Sequence, residues 1–207
     1  MLRPALASLA ALTLLACSPD DDTSDSPGMV SAIIETRAGD ITLALDAAAA
    51  PVTVANFVAL AEAGAFDGTS FYRTVRADND RPEARIDVIQ GGAGFDGLPG
   101  AVPIAHERTD ATGLTHTRGA ISMARNEPGS ASSEFFIVIT DSLILDAGPD
   151  GRHPDGEGFA VFGYVTGGME VAEAIWQAPT GNDSAPDGYS AQWLTEPVRI
   201  ERIRIAE

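Results

Sequence analysis

In the stretch Ser130–Thr140, S-A-S-S-E-F-F-I-V-I-T, a carboxylate abuts a segment built for burial. Two aromatics followed by Ile137, Val138 and Ile139 read as a buried strand, and Glu134 stands immediately before it. A carboxylate beside apolar surface is costly unless a partner or solvent reaches it. Glu134 therefore marks a place where a charge is wanted next to a hydrophobic wall. Strand alternation puts Glu134, Phe136 and Val138 on one face, and Phe135, Ile137 and Ile139 on the other. Several other chemistries are absent: the chain has no phosphate-binding glycine loop, no G-x-S-x-G turn and no C-x-x-C pair. His106, His116 and His153 lack metal-ligand spacing, and each reads as a surface or loop residue. Asp146, Asp150, Asp155 and Glu157 form an acidic loop that does not match an EF-hand, so it reads as solvated and no metal is expected.

The elements that must position these residues are mostly short strands. Val30–Thr36 and the alternating run Asp40–Asp46 form a hairpin about a turn at Ala38-Gly39. Pro51 opens a helix whose Val54, Phe57, Val58 and Ala61 share one face, and Gly64 stops it. Further strands are predicted at Ser70–Val75, Asp87–Gln90, Ala120–Ala124, Phe135–Thr140, Phe159–Val165 and Val198–Ile205, with a second helix at Met169–Gln177. Many short strands with two helices point to a closed or sandwiched β fold. The polar stretches Arg76–Arg85, Gly148–Gly158 and Pro179–Ser190 read as surface loops.

The 207 residues, 44% of them hydrophobic, suit one domain with a sizeable core. All 13 cationic side chains are arginine, and the formal net charge of −17 argues against binding nucleic acid or an anionic membrane surface through charge. Residues 1–16 combine Arg3 with an apolar run too short to span a bilayer, the pattern of an export signal. The following Leu14–Cys17, L-L-A-C, resembles a bacterial lipobox, which implies cleavage before Cys17 and lipidation of its thiol. By the same resemblance, Ser18 after the cysteine implies sorting to the outer membrane, with the chain facing the periplasm. Residues 17–28 then form an acidic tether without apolar residues after the cysteine, and residues 29–207 the folded domain.

Five segments together resemble the cyclophilin-type peptidyl-prolyl isomerases. They are N-F-V-A-L-A-E-A-G-A-F-D-G-T-S-F-Y-R-T-V (56–75), V-I-Q-G-G (88–92), T-R-G-A-I-S-M-A-R (117–125), S-A-S-S-E-F-F-I-V-I (130–139) and F-A-V-F-G-Y-V-T-G-G-M-E-V-A-E-A-I (159–175). Their order is collinear and the resemblance runs from about Val30 to the C-terminus. It implies a closed eight-stranded antiparallel barrel capped by two helices, with the site on the barrel's outer face. It also implies rotation of X-Pro bonds in polypeptide substrates without a cofactor, by a chain expected to be a monomer.

Carried over by position, Arg73 matches the family's catalytic arginine and Gln90 the amide that positions it. Phe136 and Leu145 match walls of the proline pocket, while Ala124 and Arg125 fall where the family contacts the substrate backbone. Val88 and Phe159 also fall on the pocket, as departures: Asp87-Val88 replaces the usual Phe-Met, and Phe159 replaces a His or Tyr. Ile144 takes the place of a frequent tryptophan. The resemblance thus implies a wall poorer in aromatics and weak cyclosporin binding. Glu134 stands where the family commonly has Gln, and its carboxylate is expected to pair with Arg73 and to stay ionised at neutral pH. The functional expectation is an envelope lipoprotein that isomerises X-Pro bonds in exported proteins. The alternative is a tethered proline-binding or scaffold module with little turnover.

Overall fold

The computed structural model describes residues 28–206. Signal segment, Cys17 and nearly all of the tether lie outside the described residues. Eight strands make the fold: β1 (Met29–Thr36), β2 (Gly39–Asp46), β3 (Ser70–Val75), β4 (Val88–Gly92), β5 (Ala120–Met123), β6 (Phe135–Val138), β7 (Ala160–Gly167) and β8 (Trp193–Ile205). They close in the order β1-β2-β7-β5-β6-β4-β3-β8, with every pairing antiparallel and β8 returning to β1. Among the described residues, closure leaves no edge strand.

Each predicted strand is present. β8 starts earlier than the pattern indicated, at Trp193 rather than Val198. The reason is that β8 serves two partners, pairing with β1 through Ile200–Ile205 and with β3 through Trp193–Arg199. Helix α1 (Pro51–Glu62) follows β2, and α3 (Met169–Trp176) follows β7. A four-residue helix, α2 (Thr109–Thr112), and three single 3₁₀ turns had no signal in the periodicity.

α1 begins at a proline, and its free N–H groups find a carboxylate from a distant loop. Glu107 accepts hydrogen bonds from the Val52 and Thr53 amides at 3.0 and 2.8 Å. Its C-terminus closes on Gly64 at φ +67°, with Gly64 N–H donating to Ala61 O and Ala65 N–H to Leu60 O. The buried face, Thr53, Val54, Phe57 and Ala61, plugs one end of the barrel.

Alternation divides the apolar residues into two cores. Inside the barrel, Phe57, Phe66, Phe71, Phe135 and Phe162 pack as an aromatic cluster, with centroids 5.2–5.8 Å apart. The lumen is therefore filled by side chains. The second core lies on the outer face of β3, β4, β5, β6 and β7, and joins Val75, Ile86, Val88, Ala120, Phe136, Val138, Leu145 and Val161. Phe135 and Ile137 face inward and Phe136 and Val138 outward, as the alternation requires.

Candidate active site on the outer face of the barrel

Strand register sets a row of outward residues across five neighbouring strands. Ser122 pairs with Phe136, Phe136 with Gln90, Gln90 with Arg73 and Arg73 with Trp193. A β-bulge on β3 decides which side Arg73 takes. Between Phe71 and Arg73 the partner strands β4 and β8 lose step, so Tyr72 is the extra residue. Strict alternation from inward Phe71 would turn Arg73 into the lumen. The bulge instead sends both Tyr72 and Arg73 to the outside.

A cleft of about 400 Å³ opens over this row, lined by Arg73, Val88, Gln90, Ala124, Arg125, Glu134, Phe136, Leu145 and Phe159 among others. The sequence thus assigned nine residues to the site, and all nine meet around one cavity. Phe136 and Phe159 form an edge-to-face pair at 5.5 Å on one wall.

Arg73 is held from two sides. Its Nη1 donates to Gln90 Oε1 at 2.6 Å. Its Nε and Nη2 both donate to Gln192 Oε1, at 2.9 and 2.6 Å. Gln192 is itself fixed, because its Nε2 donates to the Asn79 carbonyl at 2.8 Å. The guanidinium also lies against the Tyr189 ring, 5.1 Å from its centroid, and Phe95 at 6.0 Å. Burial lowers the arginine's pKa from its ordinary value without threatening its charge. A guanidinium has five N–H donors; three are engaged here, so each terminal nitrogen keeps one for a ligand in the cleft.

Glu134 does not pair with Arg73. Tyr72, extruded by the bulge, stands between them. Its hydroxyl donates to Glu134 Oε2 at 2.7 Å and accepts from Gln90 Nε2 at 2.7 Å. The other carboxylate oxygen accepts the Ala93 amide at 2.8 Å. Among the described residues no cation forms an ion pair with Glu134. Desolvation therefore dominates over the Tyr72 and backbone hydrogen bonds, and the carboxyl is pushed up to about 7. The expected low pKa is reversed because the hydrogen bonds that favour the charged form are neutral. Burial and the neighbouring Glu134 charge hold the Tyr72 hydroxyl far above its usual range, so it stays a donor. A continuous chain, Glu134–Tyr72–Gln90–Arg73, results. Gly92 completes it: at φ +136° it lies against the Glu134 carboxylate, where a Cβ would collide.

Arg125 lines the cleft, but its guanidinium is occupied. It donates to Asp155 at 2.8 and 3.0 Å and to the Gly158 carbonyl at 2.7 Å, with no side-chain exposure, and lies 5.0 Å over the Phe159 ring. It braces the loop that carries Phe159. Only its backbone is left to meet a ligand.

His116 is not a surface residue. It is fully buried, with Nδ1 2.6 Å from Asp146 Oδ1 and Nε2 3.0 Å from Ser122 Oγ. Its ring stacks behind Phe136 at 5.8 Å and 11°. Asp146, assigned to a solvated loop, is thus spent on supporting the pocket floor, while burial keeps the imidazole pKa below its usual value. The 76–85 stretch is likewise docked. Asp80 makes a partly buried ion pair with Arg152 at 2.7 Å, and Ile86 joins the cleft wall.

Sequence reasoning missed Tyr72, Phe95, Tyr189 and Gln192. Phe95 and Tyr189 sit in polar, glycine-rich loops, and Gln192 follows a stretch read as solvated. Nothing in their spacing signals that two loops converge on Arg73.

The site is thus a fixed cation with spare donors beside an apolar pocket, on the outside of a closed eight-stranded barrel. Residues 31–205 match the family described as cyclophilin type peptidyl-prolyl cis-trans isomerase/CLD. Peptidyl-prolyl cis-trans isomerase A of Dickeya dadantii is 38% identical over 175 residues, covering 83% of this chain and 82% of that protein. Peptidyl-prolyl cis-trans isomerase B of Escherichia coli is 32% identical over 176 residues, covering 83% and 97%. A Cryptosporidium parvum cyclophilin crystallised in the presence of the dipeptide Ala-Pro superposes with a TM-score of 0.63 at 22% identity, covering 86% of this chain and 99% of that one. The chain belongs to the cyclophilin type peptidyl-prolyl cis-trans isomerase family, and with it to the isomerases.

Proposed function

We propose that this isomerase acts on X-Pro bonds of exported polypeptides from a lipid anchor facing the periplasm, with Arg73 as its catalytic cation. The observation that carries the site assignment is the two-sided clamp on Arg73, which leaves one donor on each terminal nitrogen. Rotation about an X-Pro bond faces about 18–20 kcal/mol because it breaks amide resonance. In the twisted state the prolyl nitrogen becomes pyramidal and basic. A preorganised guanidinium hydrogen-bonds that nitrogen more strongly than the planar one, so the interaction lowers the barrier rather than merely binding substrate.

Val88, Phe136, Leu145 and Phe159 supply the apolar pocket for the proline ring. The Ala124 and Arg125 backbone borders the chain before it. Gln90 and Gln192 orient Arg73, and Glu134 acts at one remove through Tyr72. The rigid preorganisation of Arg73 favours turnover over the alternative of a proline-binding scaffold, since binding alone does not need a clamped cation. Arg73→Ala should lower kcat/KM by about a hundredfold, the loss of one preorganised charged donor, with the fold retained. NMR exchange spectroscopy on a proline peptide measures this directly. Wild-type-like exchange in the variant would remove Arg73 from the role.

The envelope location is supported by the sequence alone: the lipobox-like Leu14–Cys17 after an apolar run, then an acidic spacer. Anchored this way, the outer membrane being the expected one, the domain would meet clients as they emerge into the periplasm.

A further inference from the structure

Among the described residues, the large hydrophobic side chains left exposed are Val52, Phe95, Val102, Leu143 and Tyr189. Two of these, Phe95 at 42% and Tyr189 at 37%, touch each other and both line the cleft. Their rings meet edge to face at 4.6 Å. They come from loops nearly a hundred residues apart, which converge only at this point. Behind them Trp193 lies 5.3 Å from Phe95 and 4.5 Å from Tyr72, so the exposed pair rests on a second aromatic layer. Arg73 borders the group through its contacts with both outer rings. On a chain of net charge −17, an exposed aromatic pair rimming the cleft is conspicuous.

We propose that Phe95 and Tyr189 form a second subsite, which takes an aromatic side chain of the substrate next to the isomerising proline. The proposal rests on the reading of the Phe136 cleft as the proline pocket and adds a sequence preference to it. The proline wall (Phe136, Phe159) and the Phe95–Tyr189 shelf both belong to the one cavity that Arg73 lines. A substrate whose proline fills the first would extend its neighbouring residue over the second. An aromatic ring there gains edge-to-face contact with Phe95 and Tyr189 and removes their remaining surface from water. A small or acidic side chain gains neither, and an acidic one also faces Asp96 on the same rim.

The test uses a set of proline peptides carrying Phe, Ala or Glu at each of the two positions before and the one position after proline. Dissociation constants come from calorimetry and kcat/KM from exchange spectroscopy. At one of these positions Phe should bind about threefold to tenfold more tightly than Ala. In Phe95→Ser that ratio should fall to about one, while Phe95→Trp should keep it. Equal affinity for Phe and Ala at all three positions would overturn the proposal, as would a preference unchanged in Phe95→Ser. Affinity is read without turnover, so a scaffold without activity still reports on the subsite. Failure of the isomerase reading would appear separately, as absent exchange in the wild type or an inert Arg73→Ala.

Discussion

Replacing Glu134 by glutamine should make the domain more stable at alkaline pH and less stable in acid. The carboxyl is raised from 4.5 to about 7, mainly by desolvation. The folded state therefore holds this proton more tightly than the unfolded chain does. Its contribution to stability is fully present below pH 4.5 and is lost as pH rises through 7. At about 1.4 kcal/mol per tenfold change, the window between those values is worth about 3 kcal/mol. Glutamine does not titrate, so it escapes the penalty above pH 7. It cannot accept from both Ala93 N–H and the Tyr72 hydroxyl, and the lost hydrogen bond costs about 1 kcal/mol. Relative to wild type, Glu134→Gln should be more stable by about 2 kcal/mol at pH 8.5 and less stable by about 1 kcal/mol at pH 4. Urea denaturation of both proteins across that range, followed through Trp193 beside Tyr72, measures the difference. Other titrating groups cancel in it. A difference that stays constant within about 1 kcal/mol from pH 4 to 8.5 would show that Glu134 keeps one protonation state, and would refute the desolvation argument.

Gln192→Met removes the acceptor that takes two Arg73 donors while keeping the side chain's length, and should lower kcat by about tenfold or more with KM little changed. Gln192→Glu should retain most activity, and equal losses in both variants would point to a packing role. Cys17→Ser should move the protein from the membrane fraction to the soluble periplasm and abolish fatty-acid labelling, and unchanged fractionation would dismiss the lipid anchor.

Much of the architecture was legible in the sequence because each strand carries its own alternation. β1, β2 and β3 could be located from local pattern, and Phe136 could be placed opposite Phe135 and Ile137 without knowing what either face touched. Arg73 and Gln90 were identified by resemblance, and the barrel register places them side by side. The sequence also defined the acidic character of the chain and the apolar wall that Glu134 adjoins.

Tertiary structure alone decided how the polar residues are satisfied. Whether Arg73 faces the lumen or the cleft depends on a bulge at Tyr72, a mismatch between β3 and its two neighbours that no single strand's alternation contains. The partner of Glu134 follows from the same bulge, which puts a neutral phenol where a guanidinium was expected, so desolvation prevails and raises a pKa that an ion pair would have lowered. His116, Gln192 and Tyr189 lie in irregular segments without periodicity, and their burial and partners are set by loops distant in sequence that close over one face of the barrel. Apolar periodicity is local, because burial is a one-body preference of each side chain. A hydrogen bond is a two-body matter, and which two groups meet is settled only when the chain has closed.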